Sequence, residues 1–454
     1  MPFSTERRCA EKPERQRRTA VGPGSDTRED DERMTQPVHE TFPSGLEVGV
    51  LPLPDRHVVS FQICVLAGAC NEPEDKLGLA RLLGETLDKG TARRGGRELL
   101  DAFDTLGASH QIGTGRETIT LACTVLPEHF ERAVALHAEM LREPAFPEDA
   151  LNVNKELACT QRRALEDSPR ALTNKLIDPA AFGTVLGRHP LGEMETLARV
   201  TRDDLVAFWQ RFFRPGRMLA VAAGAVEPAD VLRIFTEHLD GSTDGQREGR
   251  EPFPAVFSAR REHHDKPLEQ EQISLCWPGV DVTDPEYPVQ RVTLGLLSGG
   301  MSGRLFTEVR EKQGLVYWVG AWQKTPRGCG RIFLGASTTP ERCDRTYATL
   351  LREVERLAED VTQDELERAT TGIVASYQTT GDGTSDRCEE LVNDLFFHGR
   401  PVPIEEKIEK VRSVGTADVR RYLEAHPRDR LCVLTLGPRA LSDTPDTGEE
   451  APPS

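Results

Sequence analysis

Two short stretches hold the side chains best placed to do chemistry. The first, residues 78–91, reads G-L-A-R-L-L-G-E-T-L-D-K-G-T. Its pattern predicts a helix with Gly90 as the stop signal, so Arg81, Gly84 and Glu85 stand at i, i+3 and i+4 on one face. Arg81 and Glu85 have ion-pair spacing, worth ~0.2–0.5 kcal/mol on an exposed helix. A guanidinium has no lone pair to offer a metal, and Gly84 brings no side chain. Alone, these residues describe a helix surface. The second stretch, residues 299–317, reads G-G-M-S-G-R-L-F-T-E-V-R-E-K-Q-G-L-V-Y and carries Arg310 and Tyr317. Alone, Arg310 pairs with a neighbouring acid, Tyr317 packs at a sheet edge, and Arg304 and Glu308 belong to a helix surface.

Other reactive constellations are absent. The chain has no G-x-S-x-G elbow and no G-x-x-x-x-G-K-[ST] loop, and Gly113-Thr114-Gly115 lacks the strand-to-helix context of a dinucleotide site. The ten cysteines form no C-x-x-C pair, which excludes zinc-finger and thiol-redox motifs. Cys64, Cys276 and Cys432 fall in apolar strand-like runs and read as small buried residues of a reducing compartment. His263-His264 reads as a solvated linker pair and His189-Pro190 as a turn. The net charge of −17, from 74 acidic and 57 basic residues, argues against nucleic acid as a partner and fits a solvated acidic surface. No run of about 18 apolar residues exists to span a membrane, and the N-terminus lacks the apolar core of a signal peptide. A cytoplasmic location is the expectation. Residues 1–33 are Arg-rich and then acidic. Glu6, Glu11 and Glu14 speak against a transit peptide, so a disordered tail is expected, with Met34 as an alternative start.

The elements that must position these stretches fall into two sets. Residues 44–53 alternate like a strand, 58–66 form a more continuous apolar strand, and 116–125 a third. Helices are expected at 78–90, 97–106, after Pro127, at 147–165, from Pro169 to near Gly183, from the Thr201 cap, and at 228–238, with a strand at 218–226. Residues 241–265 form a polar Gly/Pro-bearing linker. The pattern then restarts. Strands are expected at 272–276, 315–322, 332–337 and 431–436, and helices at 285–297, 305–310, 340–357, 362–378, 384–397 and 415–424. T-V-L-P-E-H-F-E-R-A (124–133) and S-T-T-P-E-R-C-D-R-T (337–346) each leave a strand, turn at Pro-Glu and enter a helix. With the same element order around them, they indicate an internal repeat. The expectation is an α+β fold of two homologous repeats, each a mainly antiparallel sheet with helices packed on one side. The expected organisation is a tail at 1–39, repeats at 40–240 and 266–440 joined by a linker at 241–265, and a tail at 441–454.

Residues 78–91 resemble the zinc-binding helix of the insulinase/pitrilysin (inverzincin) metallopeptidase family, whose members include the mitochondrial processing peptidase. There the stretch runs roughly G-x-A-H-F-L-E-H-M-x-F-K-G-T around the inverted motif H-x-x-E-H. Gly78, Ala80, Leu83, Lys89, Gly90 and Thr91 match this frame, whereas Arg81 and Glu85 stand in the two His positions and Gly84 in that of the Glu. In H-x-x-E-H, two His at i and i+4 bind one zinc and the Glu serves as general base; here neither function is available. The family's third ligand, a Glu on a later helix shortly before an Asp-x-Pro segment, corresponds to Gln161 when Asp167-Ser168-Pro169 is set on that segment; a shift of register would bring Glu156 or Glu166 there instead. Residues 304–317 resemble the family's R-L-F-x-x-V-R-E-K-x-G-L-x-Y segment, whose Arg and Tyr reach an active site formed by another half or subunit. Arg310 and Tyr317 match them, and donors of this kind suit the oxyanion of a peptide carbonyl under attack.

The resemblance spans about residues 40–440. It implies the zinc-less, non-catalytic subunit of a heterodimeric peptidase. This chain would bind no cofactor, zinc would sit in a homologous His-x-x-Glu-His partner, and an unfolded peptide would add to a sheet edge. Arg310 and Tyr317 would act in trans on the partner's zinc site, while Arg81, Gly84, Glu85 and Gln161 mark metal-site positions that are no longer ligands. Two rival expectations are a non-proteolytic binding or assembly scaffold of the same fold, and a peptidase active alone.

Overall fold

In the computed structural model, which describes residues 36–241 and 245–442, the apolar runs of the first half form six strands. These are β1 (Val38–Thr41), β2 (Glu47–Pro52), β3 (Val59–Val65), β4 (Ser109–Thr114), β5 (Ile119–Val125) and β6 (Met218–Gly224). With them come α1 (Leu79–Thr86), α2 (Gly96–Thr105), α3 (Phe130–Arg142), α4 (Glu148–Glu166), α5 (Pro169–Leu186), α6 (Met194–Arg199), α7 (Arg202–Phe212) and α8 (Pro228–Leu239). The second half contributes β7 (Arg261–Asp265), β8 (Glu271–Gly279), β9 (Val316–Lys324), β10 (Gly330–Thr338) and β11 (Cys432–Gly437). Its helices are α9 (Tyr287–Ser298), α10 (Cys343–Asp360), α11 (Gln363–Thr380), α12 (Thr384–His398), α13 (Ile404–Arg412) and α14 (Thr416–Ala425), and Leu305–Lys312 is π-helical. The expected N-terminal tail up to residue 35, Met34 included, and the final residues 443–454 lie outside the described residues.

The fold is α+β and internally duplicated. The first sheet runs β1-β2-β6-β3-β5-β4 and the second β7-β11-β8-β10-β9. Leaving aside the extra edge strand β1, the two orders superimpose, and each sheet has a single parallel pair in the same place, β2/β6 and β7/β11. The two Pro-Glu turns are both 3-10 turns, Pro127–His129 and Pro340–Arg342, and they lead into the equivalent helices α3 and α10. Some bounds differ from expectation. Val38 and His39 belong to β1 rather than to a tail, and His263-His264 belongs to β7 rather than to a solvated linker, with His263 Nδ1 at 2.9 Å from Thr435 Oγ1. At the far end Leu441 is buried, and Ser442 is held by Asp344 at 2.7 and 2.8 Å.

One face of each sheet carries its own helices, and the other face borrows one. In the first half Phe61, Phe130 and Phe235 meet edge to face with centroids 5.5–6.2 Å apart beneath α3 and α8. The opposite face of that sheet (Leu51, Leu219, Val221) is covered by Leu391, Val392 and Leu395 of α12 from the second half. Reciprocally, Ile177, Phe182 and Leu186 of α5 cover Phe333 and Leu434 on the second sheet. α5 and α12 are each the third helix after the Pro-Glu turn, so the halves exchange equivalent helices. Six large apolar side chains at ~1.5–3 kcal/mol each hold the halves together by on the order of 10 kcal/mol. Buried ion pairs join the same seam: Asp178 of α5 takes Arg116 and, at 2.6 Å, Lys324, while Glu117 takes Arg327 at 3.1 Å.

β4 closes the first sheet as an edge strand and carries a histidine relay into the core. His110 stacks on Phe103 (4.4 Å, 6°), and its Nδ1 lies 3.3 Å from Nε2 of fully buried His137. His137 Nδ1 lies 2.8 Å from the Ala133 carbonyl, which can only accept, so Nδ1 carries the proton and Nε2 accepts from His110. Burial, then the neighbouring His110, pushes His137 down to about 3. The unfolded chain takes a proton below pH 6.5 that the folded chain refuses. The stability contributed by neutral His137 is therefore complete above pH 6.5 and is lost as pH falls toward 3, by about 1.4 kcal/mol per pH unit at most. Urea denaturation at pH 6.5 and 5.0 should show a loss of about 2 kcal/mol, reduced in His137→Phe. A variant that loses as much as the parent would refute this source of acid lability.

Candidate functional site

The helix that carries Arg81, Gly84 and Glu85 is set at its N-terminal end. Gly78 has φ +98°, and a Cβ there would stand 2.5 Å from Leu197 Cδ2, so only glycine fits. Glu72 is buried and accepts from the backbone N–H groups of Gly78 (2.9 Å) and Ala80 (2.8 Å) at the start of α1. It satisfies donors that a helix N-terminus leaves open. Burial pushes its carboxyl up to about 8 against the pull of those two N–H groups.

Arg81 and Glu85 of this helix and Gln161 of α4, which the resemblance sets at the family's metal-ligand positions, meet here. Arg81 Nε donates to Glu85 Oε1 at 2.9 Å, Arg81 Nη2 lies 2.7 Å from the same oxygen, and Nη2 also donates to Gln161 Oε1 on α4. α4 is held in register by Asn154, whose Nδ2 donates to Glu85 O (2.9 Å) and Thr86 Oγ1 (3.1 Å). Gln161 is two turns further along the same face. Glu156 is exposed and Glu166 is drawn off by Arg162 at 2.9 Å, so Gln161 is the α4 residue that reaches Arg81. A guanidinium thus occupies the place a divalent cation would need, and its neighbours are one carboxylate and one amide. These residues do not fit zinc, which needs lone-pair donors from at least three side chains. Among the described residues no group of three or more His, Cys, Asp or Glu side chains is arranged to hold a metal ion.

Gly84, which the resemblance sets at the family's general-base position, brings no side chain and has no room for one. A Cβ there would lie 2.6 Å from Thr114 Oγ1 on β4. Alanine normally gains about 1 kcal/mol over glycine inside a helix. Here the overlap should reverse that sign, so Gly84→Ala is expected to destabilise the chain by about 1–2 kcal/mol. A double-mutant cycle with Thr114→Gly should return a favourable coupling of about 1 kcal/mol. A stabilised Gly84→Ala variant would refute the steric reading.

The second stretch is anchored at its base and free at its tip. Arg304, expected on a helix surface, is buried. It makes a two-pronged contact with Glu365 (2.7 and 2.9 Å) and reaches Asp360 at 2.5 Å. Burial would raise Glu365, but Arg304, then Thr362, hold it down at about 2. Above this anchor the chain runs as a π-helix, a form often found at functional sites. Arg310 projects from it to solvent, its guanidinium 5.0 Å from the centroid of the Phe306 ring. Among the described residues no carboxylate pairs with it, unlike Lys312, which takes Glu308 at 2.7 Å. Tyr317 lies where the β9/β10 register slips, Ser337 facing Trp318 and Thr338 facing Val316. It is the extra residue of a bulge on an edge strand and is 61% exposed; bulges re-aim side chains in this way. The expected acid partner for Arg310 and packing for Tyr317 are therefore not found. No hydrogen bond or ion pair among the described residues joins Arg310 or Tyr317 to Arg81, Glu85 or Gln161. Glu72 and the anchoring role of Arg304 leave no signal in the sequence, because their partners lie on other elements.

Comparison with known proteins places both stretches in a wider frame. Residues 51–193 match the family model described as insulinase (peptidase family M16), and residues 199–373 match that of the peptidase M16 inactive domain. An uncharacterized zinc protease of Rickettsia bellii is 25% identical over 401 residues, covering 88% of this chain and 97% of the relative. A probable mitochondrial-processing peptidase subunit beta of Arabidopsis thaliana is 25% identical, covering 89% of this chain and 79% of its own length. Among solved structures, a peptidase M16 inactive domain from Pseudomonas fluorescens superimposes with a TM-score of 0.82 at 22% identity, over 90% of this chain and all of that one. A protease from Helicobacter pylori does so with a TM-score of 0.80 at 18% identity, over 89% of this chain. No helix among the described residues is long and apolar enough to cross a membrane.

Proposed function

The chain belongs to the insulinase family, peptidase family M16, and from that premise we propose that it is the zinc-less subunit of a two-subunit metallopeptidase. It shapes the substrate chamber and lends Arg310 and Tyr317 to a zinc site on a homologous His-x-x-Glu-His partner. The observation that carries this reading is the contrast between the two stretches. The positions matching the family's metal ligands are filled by a guanidinium bonded to Glu85 and Gln161, while Arg310 and Tyr317 are exposed and, among the described residues, lack side-chain hydrogen-bond or ion-pair partners.

In this reading an unfolded peptide pairs with an open sheet edge. β4 and β9 each have one unpaired side, and strand addition supplies affinity through the main chain. The partner's zinc supplies the hydrolytic centre. This chain contributes the Arg310 N–H groups and the Tyr317 hydroxyl as hydrogen-bond donors to the oxygen on which charge develops. The guanidinium offers several N–H donors in a fixed fork and the phenol one O–H donor. A cytoplasmic location goes with this reading.

Purification from the native source followed by metal analysis tests it. A homologous subunit should co-purify, zinc should track that subunit, and peptide hydrolysis should require both. A complex with no proteolysis would favour the scaffold reading. A separated chain that holds stoichiometric zinc and cleaves peptides would overturn the proposal.

A further inference from the structure

A cavity of about 430 Å³ opens where the interhalf connection, the turn between β9 and β10, and the end of α12 converge. Arg247 and Arg250 come from the connection, Arg327 from the turn, and Phe396 and Phe397 from α12. The arginines are not fully used. Arg327 donates through Nε to Glu117 at 3.1 Å and stacks on the Phe396 ring at 4.3 Å, with its side chain 8% exposed. Its Nη1 is buried without a partner. Arg250 reaches Glu47 through Nη2 at 2.5 Å, while its Nε and Nη1 are likewise buried and unpartnered. Buried guanidinium N–H groups without acceptors are costly, and each in a native fold calls for a missing partner.

The charges give the size of that partner. Three arginines meet two buried carboxylates, Glu47 and Glu117. The acid of the lining, Asp281, accepts from the Thr283 N–H and hydroxyl through Oδ1 at 2.7 and 2.6 Å. Carboxylates thus balance the arginines in charge, yet the N–H groups at Arg250 Nε and Nη1 and Arg327 Nη1 are left without an acceptor, and the C-terminal end of α12 adds partial negative charge. A polyphosphate would therefore be disfavoured and a single negative charge accommodated. The fork of a guanidinium matches the two oxygens of a carboxylate, and Phe396, Phe397 and Pro252 offer an apolar wall for what the carboxylate is attached to.

We propose that this pocket, at the seam of the two halves, binds one carboxylate through Arg250 and Arg327, supplied either by the free C-terminus of a peptide or by a small carboxylic acid. The site does not depend on the proposed subunit role. Occupancy ties α12 and the connection to the second sheet, so it strengthens the seam already made by the exchanged helices.

The test is thermal denaturation of the purified full-length chain in sodium acetate against sodium chloride at matched ionic strength. Two pentapeptides differing only in a free or amidated C-terminus complete the set. Acetate at a hundredfold excess over its Kd should raise Tm by about 3–5 °C, chloride should not, and Arg250→Gln should abolish the shift. If that variant fails to fold, Arg250→Lys keeps the charge beside Glu47 but not the planar fork, and it should reduce the shift at least severalfold. A free-acid peptide acting at lower concentration than its amide assigns the site to peptide ends, and equal peptides assign it to small acids. An acetate shift no larger than that of chloride, or one undiminished in the Arg250 variant that folds, would overturn the proposal.

Discussion

In the two-subunit peptidase proposed above, Arg310→Ala should lower kcat by about 10²–10³ while leaving KM and assembly nearly unchanged. The size follows from the kind of interaction. A cationic donor aimed at an oxygen that becomes charged in the transition state acts where water is excluded, and its loss is felt in kcat rather than in substrate binding. Tyr317→Phe removes one neutral donor and should cost on the order of tenfold, in line with a single hydrogen bond to a charged group. Structure makes both substitutions clean. Neither side chain is buried and neither carries an ion pair among the described residues, so a fall in activity cannot be assigned to a collapsed fold. The segment beneath them is fixed independently through Arg304, Glu365 and Asp360. Two variants with unchanged turnover in an intact complex would remove Arg310 and Tyr317 from the mechanism.

The parts of the fold that could be read from sequence are those whose cause is local. Gly90 reads as a stop signal because its φ of +146°, just after the 3-10 turn Leu87–Lys89, suits glycine. The Pro-Glu turns read as a repeat because Pro sets the same 3-10 entry in both halves. β4, in contrast, is S-H-Q-I-G-T, with Ile112 its one large apolar residue and one side open to solvent; its strand state comes from pairing with β5 and leaves little trace in composition. Arg304 looks like a surface residue because its acids lie 56 and 61 positions away on other elements. The exchange of α5 and α12 is illegible for the same reason: an amphipathic helix declares that it has a partner and does not say which sheet provides it. At the site the residues Arg81, Gly84 and Glu85 and their helical spacing are legible. The bond from Arg81 to Gln161 is not, since the register of α4 against α1 rests on Asn154.

That contact gives a direct test of the metal-site resemblance. The triple variant Arg81→His, Glu85→His, Gln161→Glu should take up one zinc ion, and the parent chain should take up none. The two introduced imidazoles share a helix face one turn apart, and position 161 already stands within hydrogen-bond reach of position 81, so three lone-pair donors would converge without moving a backbone element. Removing Arg81 also removes the cation that would repel the metal. At a zinc concentration a hundredfold above Kd the gain in stability is about 2.7 kcal/mol, and a chelator should erase it. Hydrolysis should stay absent, because Gly84 provides no base. Adding Gly84→Glu alone should not supply one, since its Cβ would meet Thr114 Oγ1 at 2.6 Å; the pair Gly84→Glu with Thr114→Gly is the combination that opens space for the carboxylate. A folded triple variant that binds no zinc in metal analysis would mean that α1 and α4 have drifted out of ligating geometry as well as lost their ligands. Zinc uptake would show instead that α1 and α4 hold a backbone frame able to present three ligands to one metal ion.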